Sequence, residues 1–246
     1  EGRREVISNP RVITANQKIV GDDYPYYLTS EWAEPYRARR IAALLAARTT
    51  HSMASFAAMQ ADVTSLMAAD LLPLLLKVPP EGNRATAAVA LLRQWDGSMA
   101  VDRPEPLLFS AWLRELTRLV YGDELGDLFP GAWQERPIFL ANVLADKNGE
   151  SRWCDDVAAK QPQSCDRLVA RALNLALDDL AGDYGSDMSR WRWGEAHYAR
   201  MAHRPFSRLT VLGWLFDITV PTPGDAYTID AGNFAIANPA EPFASG

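Results

Sequence analysis

Along the middle of the chain, apolar residues recur at spacings of three and four, the period of an amphipathic helix. Trp32 to Ala47 is the first such stretch, with Ile41, Leu44 and Leu45 on one face and the arginines elsewhere. Thr49-Thr50-His51-Ser52 breaks it and supplies hydroxyls to cap a second helix. That helix carries Phe56, Met59, Val63, Leu66 and Met67, read here as core, and Pro73 should kink or end it. After the break Pro79-Pro80-Glu81-Gly82-Asn83, another stripe runs through Ala85, Ala88, Val89, Leu92 and Trp95. Asp96-Gly97 closes it, and Asp102 to Pro106 is loop. Leu108, Trp112, Leu116 and Leu119 mark a further helix closed by Tyr121-Gly122, and Pro137 to Leu144 is a shorter apolar segment. The longest helix comprises Val169, Ala172, Leu173, Ala176, Leu177 and Leu180, with Gly182 as its stop.

The ends read differently. Val12-Ile13-Thr14-Ala15 is a short β-prone run that delivers Asn16 at its end. Leu209 to Val220 is apolar and rich in β-branched and aromatic residues, and Tyr227-Thr228-Ile229 looks like a strand start. The division expected is residues 1–31 as a β-prone segment, 32–206 as a helical region and 207–246 as a second β-prone segment, all one structural unit. Strands at these ends lack partners, and their open edges would invite association.

Composition adds limits rather than direction. The 246 residues are 48% hydrophobic and 23% charged, ordinary values for a protein with a core. The net charge of −6 draws the chain to no nucleic acid, and Arg37-Ala38-Arg39-Arg40 reads as a solvated or ion-paired helix face. No apolar run approaches the ~20 residues that span a bilayer. Cys154 and Cys165 bracket a short polar loop containing Pro162, which a disulfide can close. Two buried thiols or half of a metal site are the alternatives; the disulfide is the expectation, and with it an oxidising compartment.

Few constellations carry chemistry. His197 and His203, six apart, would lie on different faces of a helix, so the spacing does not make a two-histidine metal site. Asp155-Asp156 beside Cys154 reads as a charged flank, and Trp191, Trp193, Tyr198 and Phe206 read as a core patch. Asn16 taken alone is an ordinary turn residue.

It does not stand alone. The order Thr14-Ala15-Asn16, Asp23-Tyr24-Pro25, Trp32, Arg37 and Ile41 resembles the β subunit of penicillin-acylase-type amidases, N-terminal-nucleophile hydrolases. The likeness continues through Met59-Gln60-x-Asp62-x-x-Ser65, Leu71-Leu72-Pro73 and Trp153-Cys154-Asp155-Asp156 with Cys165. It runs on through Trp191-Arg192-Trp193-Gly194-x-x-His197, His203-x-Pro205 and Pro223-Gly224-Asp225-x-x-Thr228. It therefore covers nearly the whole chain. There are departures: Arg11 follows Pro10 directly where the family has a few more residues, and Gln17 stands where the family tends to have a second Asn. The family's nucleophile, a Ser at the free β-chain N-terminus, has no counterpart after Glu1-Gly2-Arg3-Arg4.

The resemblance implies an α+β fold, a predominantly helical piece of the layered αββα N-terminal-nucleophile architecture with β-prone segments at both ends. It implies an internal piece of a β subunit whose partners are an α subunit, the remainder of the β subunit and a small N-acyl substrate, with no nucleic acid and no membrane. The complete enzyme would hydrolyse a linear amide, in a β-lactam antibiotic or an acyl-homoserine lactone, in the periplasm or outside the cell. Asn16 would be the side-chain donor of the oxyanion hole, and Arg37 would orient it and the nucleophile's amino group. A helix-face ion pair is the alternative for Arg37. No cofactor is expected in this chain; some members bind calcium through β-chain aspartates, but the match between Tyr26 and Glu31 assigns no ligand. Without the nucleophile, the chain alone should be inactive. The competing reading is a non-enzymatic helical module that binds a partner through an apolar face.

Overall fold

The computed structural model describes residues 11–157 and 163–245. The turn near Pro10 and the Pro162 step of the cysteine loop lie outside them. Ten α-helices and two strands follow in order among the described residues. They are α1 (Tyr36–Ala46), α2 (Met53–Gln60), α3 (Leu66–Leu75), α4 (Asn83–Leu92), α5 (Glu105–Leu125) and α6 (Phe129–Ala132). Then come α7 (Pro137–Leu144), α8 (Cys165–Tyr184), α9 (Trp193–Ala196), β1 (Tyr198–Met201), α10 (Thr210–Phe216) and β2 (Ile218–Pro221).

The core is built on α5 and α8, which pack along their lengths. Leu107, Leu108, Phe109, Trp112 and Leu113 of α5 are each at most 2% exposed. The Trp112 indole donates to the carbonyl of Val169 in α8 at 2.9 Å, so the largest buried side chain leaves no polar atom unpaired. Met67, Leu71 and Leu75 of α3, the small face of α4 and Leu140 and Val143 of α7 complete the same cluster. The stripes of α4, α5 and α8 largely bury the residues that their periodicity picked out, whereas Ile41, Leu44 and Leu45 of α1 are only half-buried and α1 buries Tyr36 and Ala38 instead.

The second stripe departs further. It is two helices, not one: α2 stops at Gln60, residues 61–64 are non-helical, and Ser65 starts α3. The Ser65 hydroxyl accepts from the Ala68 amide and donates to Asp225, while its own N–H reaches the Gly97 carbonyl. Both halves are capped by serine, α2 through the reciprocal Ser52–Ser55 box and α3 through Ser65. Once severed, α2 contributes little to the core: Met53 is 91% exposed and Phe56 49%. Pro73 sits inside α3 on its exposed face, where a missing N–H costs less, and the helix ends at Leu75.

The β-prone ends also resolve differently. Val12–Ala15 forms no strand; its neighbourhood makes one isolated bridge, Gln17 to Ala33. Leu209–Val220 divides into α10 and β2, and β2 pairs only with β1, antiparallel, with Tyr198 opposite Pro221 and Met201 opposite Ile218. A strand needs a neighbour to satisfy its backbone. The described chain offers one for four residues and none for the rest. Tyr227-Thr228-Ile229 is a turn, because Asp225 and Thr228 close it on themselves: the Asp225 carboxylate accepts from the Tyr227 N–H, and the Thr228 hydroxyl accepts from the Asp225 N–H. The expected aromatic patch splits as well. Trp191 and Trp193 are buried, with Trp193 stacked on His197 at 4.5 Å, whereas Phe206 joins His203 and Phe216 in a separate outer group.

Candidate active site around Asn16

Asn16 is exposed and adopts φ 65°, the left-handed region that Asn tolerates better than most residues. Its carbonyl accepts from the Ala33 N–H at 2.9 Å, which fixes the peptide that follows it. Gln17 fixes the peptides that precede it. Its Oε1 accepts from the Ala15 N–H at 2.6 Å and its Nε2 donates to the Ile13 carbonyl at 3.3 Å.

Arg37 arrives from the first turn of α1. Its Nη2 donates to the Ala15 carbonyl at 3.0 Å and to Asn16 Oδ1 at 2.9 Å. A guanidinium has only donors, so the bond identifies the amide's oxygen end and leaves the NH2 end as the donor Asn16 can offer elsewhere. The two predicted site residues, 21 positions apart, are thus in direct contact.

The neighbouring arginines behave otherwise. Arg39 pairs with Asp70 at 2.7 Å, and Arg40 grips Asp62 with two bonds of 2.8 and 2.6 Å and reaches Thr64 Oγ1 at 3.1 Å. Burial alone would raise the Asp62 carboxyl, but bonds from Arg40 and Thr64 outweigh it and hold the group below the ordinary range. These two pairs fasten α1 to the stretch between 62 and 70, and Tyr36 packs edge-on against Tyr227. In this helical turn two arginines take carboxylates and the third takes a neutral amide. Beside it, the 18–32 loop shapes an open hollow of about 220 Å³ lined by Tyr24, Tyr26, Tyr27, Leu28 and Trp32. A separate acidic cavity of about 560 Å³ lies between α5, α8 and residues 239–243 and shares no lining residue with this site.

Cys154 and Cys165 are joined in a disulfide with their Cα atoms 5.0 Å apart, tying the segment before α8 to its first residue. His197 Nδ1 lies 2.7 Å from the Phe243 carbonyl, while His203 stacks on Phe206, so the two imidazoles serve separate packing groups. Among the described residues, no three or more His, Cys, Asp or Glu side chains are grouped to hold a metal ion.

Two carboxyls without an ion-pair partner among the described residues, Asp225 buried and Glu135 half-buried, escaped the sequence reading. Asp225 is fully buried against Ser65 and the 227–228 turn, and burial pushes it up to about 6 despite those bonds. Glu135 has its Oε1 sealed from solvent without a partner among the described residues, and burial, reinforced by the Asp225 charge, pushes it up to about 8. Glu135 sits between Gln134 and Arg136 and carries no signal that marks it as internal.

The blocks that carry the resemblance extend over the same chain that this geometry organises, and the penicillin amidase family profile matches residues 6–245. The chain belongs to the penicillin amidase family. Among its relatives is acyl-homoserine lactone acylase QuiP of Pseudomonas aeruginosa, 31% identical over 75% of this chain and 24% of that protein. Another is penicillin acylase 2 proenzyme of Pseudomonas sp. strain SE83, 28% identical over 89% of this chain and 28% of that protein. The chain therefore spans about a quarter of the length of the curated relatives it matches. A thermostable penicillin G acylase from Alcaligenes faecalis shares the fold, with TM-score 0.55 and 18% identity over 73% of this chain and 37% of that one. Among the described residues, no helix is long and apolar enough to cross a membrane.

Proposed function

We propose that this chain is part of the β subunit of a penicillin-acylase-type amidase that cleaves the linear amide of an N-acyl compound, with Asn16 as oxyanion donor. The observation that carries this reading is the 2.9 Å bond from Arg37 to Asn16 Oδ1, made across 21 residues by an arginine whose neighbours instead pair with carboxylates. In such an enzyme an N-terminal Ser, supplied by sequence outside this chain, attacks the amide carbonyl with its own α-amino group as base. Negative charge then develops on the carbonyl oxygen. A neutral amide N–H stabilises that charge without surrendering a proton. Arg37 aids in two ways. It holds the oxygen end of Asn16, so the NH2 end must face the reaction, and its fixed positive charge polarises the amide and strengthens its N–H as a donor. The relatives' names point to acyl-homoserine lactones and penicillins as substrate classes. The α subunit and the rest of the β subunit complete the site, and the disulfide favours a periplasmic or secreted enzyme. On this reading the chain alone is inactive.

The test is made in the complete, processed enzyme. Asn16→Gly is the cleanest deletion, because glycine accepts φ 65° without steric cost. It should lower kcat about a hundred- to a thousandfold with little change in KM. Asn16→Asp should do at least as much damage, since a carboxylate repels the developing charge. A correctly processed Asn16→Gly enzyme that kept more than about a third of its kcat, a loss below ~0.7 kcal/mol, would return Asn16 to an ordinary turn residue.

A further inference from the structure

Asn16 is held directly at two points, and the backbone before it at a third. Its carbonyl is taken by Ala33 and its side-chain oxygen by Arg37. The third hold is Gln17, whose side chain turns back along the chain and bridges the Ala15 N–H and the Ile13 carbonyl. Ala15 is buried, and its carbonyl shares the same Arg37 nitrogen that bonds Asn16. Gln17 therefore fixes one face of the Ala15 residue while Arg37 fixes the other. No strand ladder does this work, because residues 11–15 pair with none of the described chain as a strand.

We infer that Gln17 is a positioning residue for the oxyanion donor: it clamps the backbone before Asn16 so that the left-handed turn and the Arg37–Asn16 bond form together. Free rotation of the 13–15 backbone would let the Asn16 amide swing. A displacement near 1 Å at a group that acts on the transition state costs rate rather than substrate binding. The side chain is suited to the task because an amide offers an acceptor and a donor at once, and both are used here. The inference rests on the reading of Asn16 as oxyanion donor and adds a residue to it.

A double-mutant cycle in the complete, processed enzyme tests this. Gln17→Met keeps much of the side chain's length and removes both polar ends. With Asn16 present it should lower kcat roughly ten- to a hundredfold and leave KM within about twofold. In the Asn16→Gly background, the same substitution should cost less than about twofold, because the group it positions is gone. Equal losses in both backgrounds would make Gln17 a general structural residue and overturn the inference, as would an unchanged kcat in the single variant. If Asn16→Gly itself leaves kcat intact, the reading of Asn16 fails and this inference falls with it; that arm separates the two failures. Chain cleavage is checked by intact mass before kinetics. Should Gln17→Met fail to process, Gln17→Leu, which likewise removes both polar ends while keeping much of the bulk, takes its place in the same cycle with the same expected outcomes.

Discussion

Trp112 and Trp214 lie at opposite poles of this molecule. Trp112 is 1% exposed, wedged between α5 and α8 with its indole N–H satisfied by Val169. Trp214 is 83% exposed on α10, in a stretch where Leu209, Val211, Leu215, Ile218 and Val220 also face solvent. The helical body buries its apolar stripes against other helices of the same chain. The rim, comprising residues 11–35 and 201–221, shows many exposed apolar side chains and carries only the short α10 and a two-stranded ladder. Exposed apolar surface of this extent marks an interaction site, and the chain spans about a quarter of the length of its relatives.

The contrast can be broken most forcefully in the body. Trp112→Ala should destabilise this chain by about 3–5 kcal/mol, since it leaves a large cavity and strands the Val169 carbonyl. Urea unfolding followed by circular dichroism measures this; a loss below ~1 kcal/mol would mean that the α5–α8 contact is not the core. The disulfide comes next. It closes a loop of sequence separation 11, and Cys154→Ala with Cys165→Ala should cost about 2–3 kcal/mol, read in the same assay.

A third effect is set by pH. Glu135 and Asp225 have raised pKa values in the folded chain, so the folded state binds those protons more tightly than the unfolded state does. Their contribution to stability is complete below about pH 4 and is lost as pH climbs through about 6 for Asp225 and about 8 for Glu135. Urea midpoints should therefore fall between about pH 5 and about pH 8, and Glu135→Gln should flatten the upper part of that fall. An unchanged slope in the variant would remove Glu135 as its source. The smallest effect belongs to the rim. Trp214→Ser should alter the unfolding free energy by less than about 0.5 kcal/mol while reducing self-association in sedimentation. A larger destabilisation would place Trp214 in a core that the contrast denies it.

The helical body was legible because its signal is local: residues three and four apart share a face whatever else the chain does. Ala88, Leu92, Leu116 and Leu177 lie where that period puts them. The failures have one cause, which is contact between distant residues. A continuous stripe divides before Ser65, which starts α3 beside Gly97 and Asp225, neither of them visible from residues 53–75. Val12–Ala15 has β propensity, but propensity supplies no partner strand. Leu209–Val220 has the composition of a strand and puts Thr210–Phe216 into a helix, with Asp217 ending it through a bond to Gly213. The contact between Asn16 and Arg37 came from the order of motifs. Nothing in their spacing alone brings an exposed turn to the first turn of a helix. Gln17 registered only as a departure from the family pattern, and its two bonds explain how a longer amide serves at that position.

One consequence of the Gln17–Ala33 bridge reaches beyond this chain. The backbone leaves the Asn16 turn at residue 17, makes an excursion past Tyr24, Tyr26 and Tyr27, and returns to the same place before entering α1. Because entry and exit are pinned to each other, the length of what lies between them is uncoupled from the geometry on either side. Such a tethered excursion can lengthen, shorten or change its aromatic lining over evolutionary time while the amide and its arginine keep station. It is the sort of place where the surface of a protein can change without moving the residues that frame it.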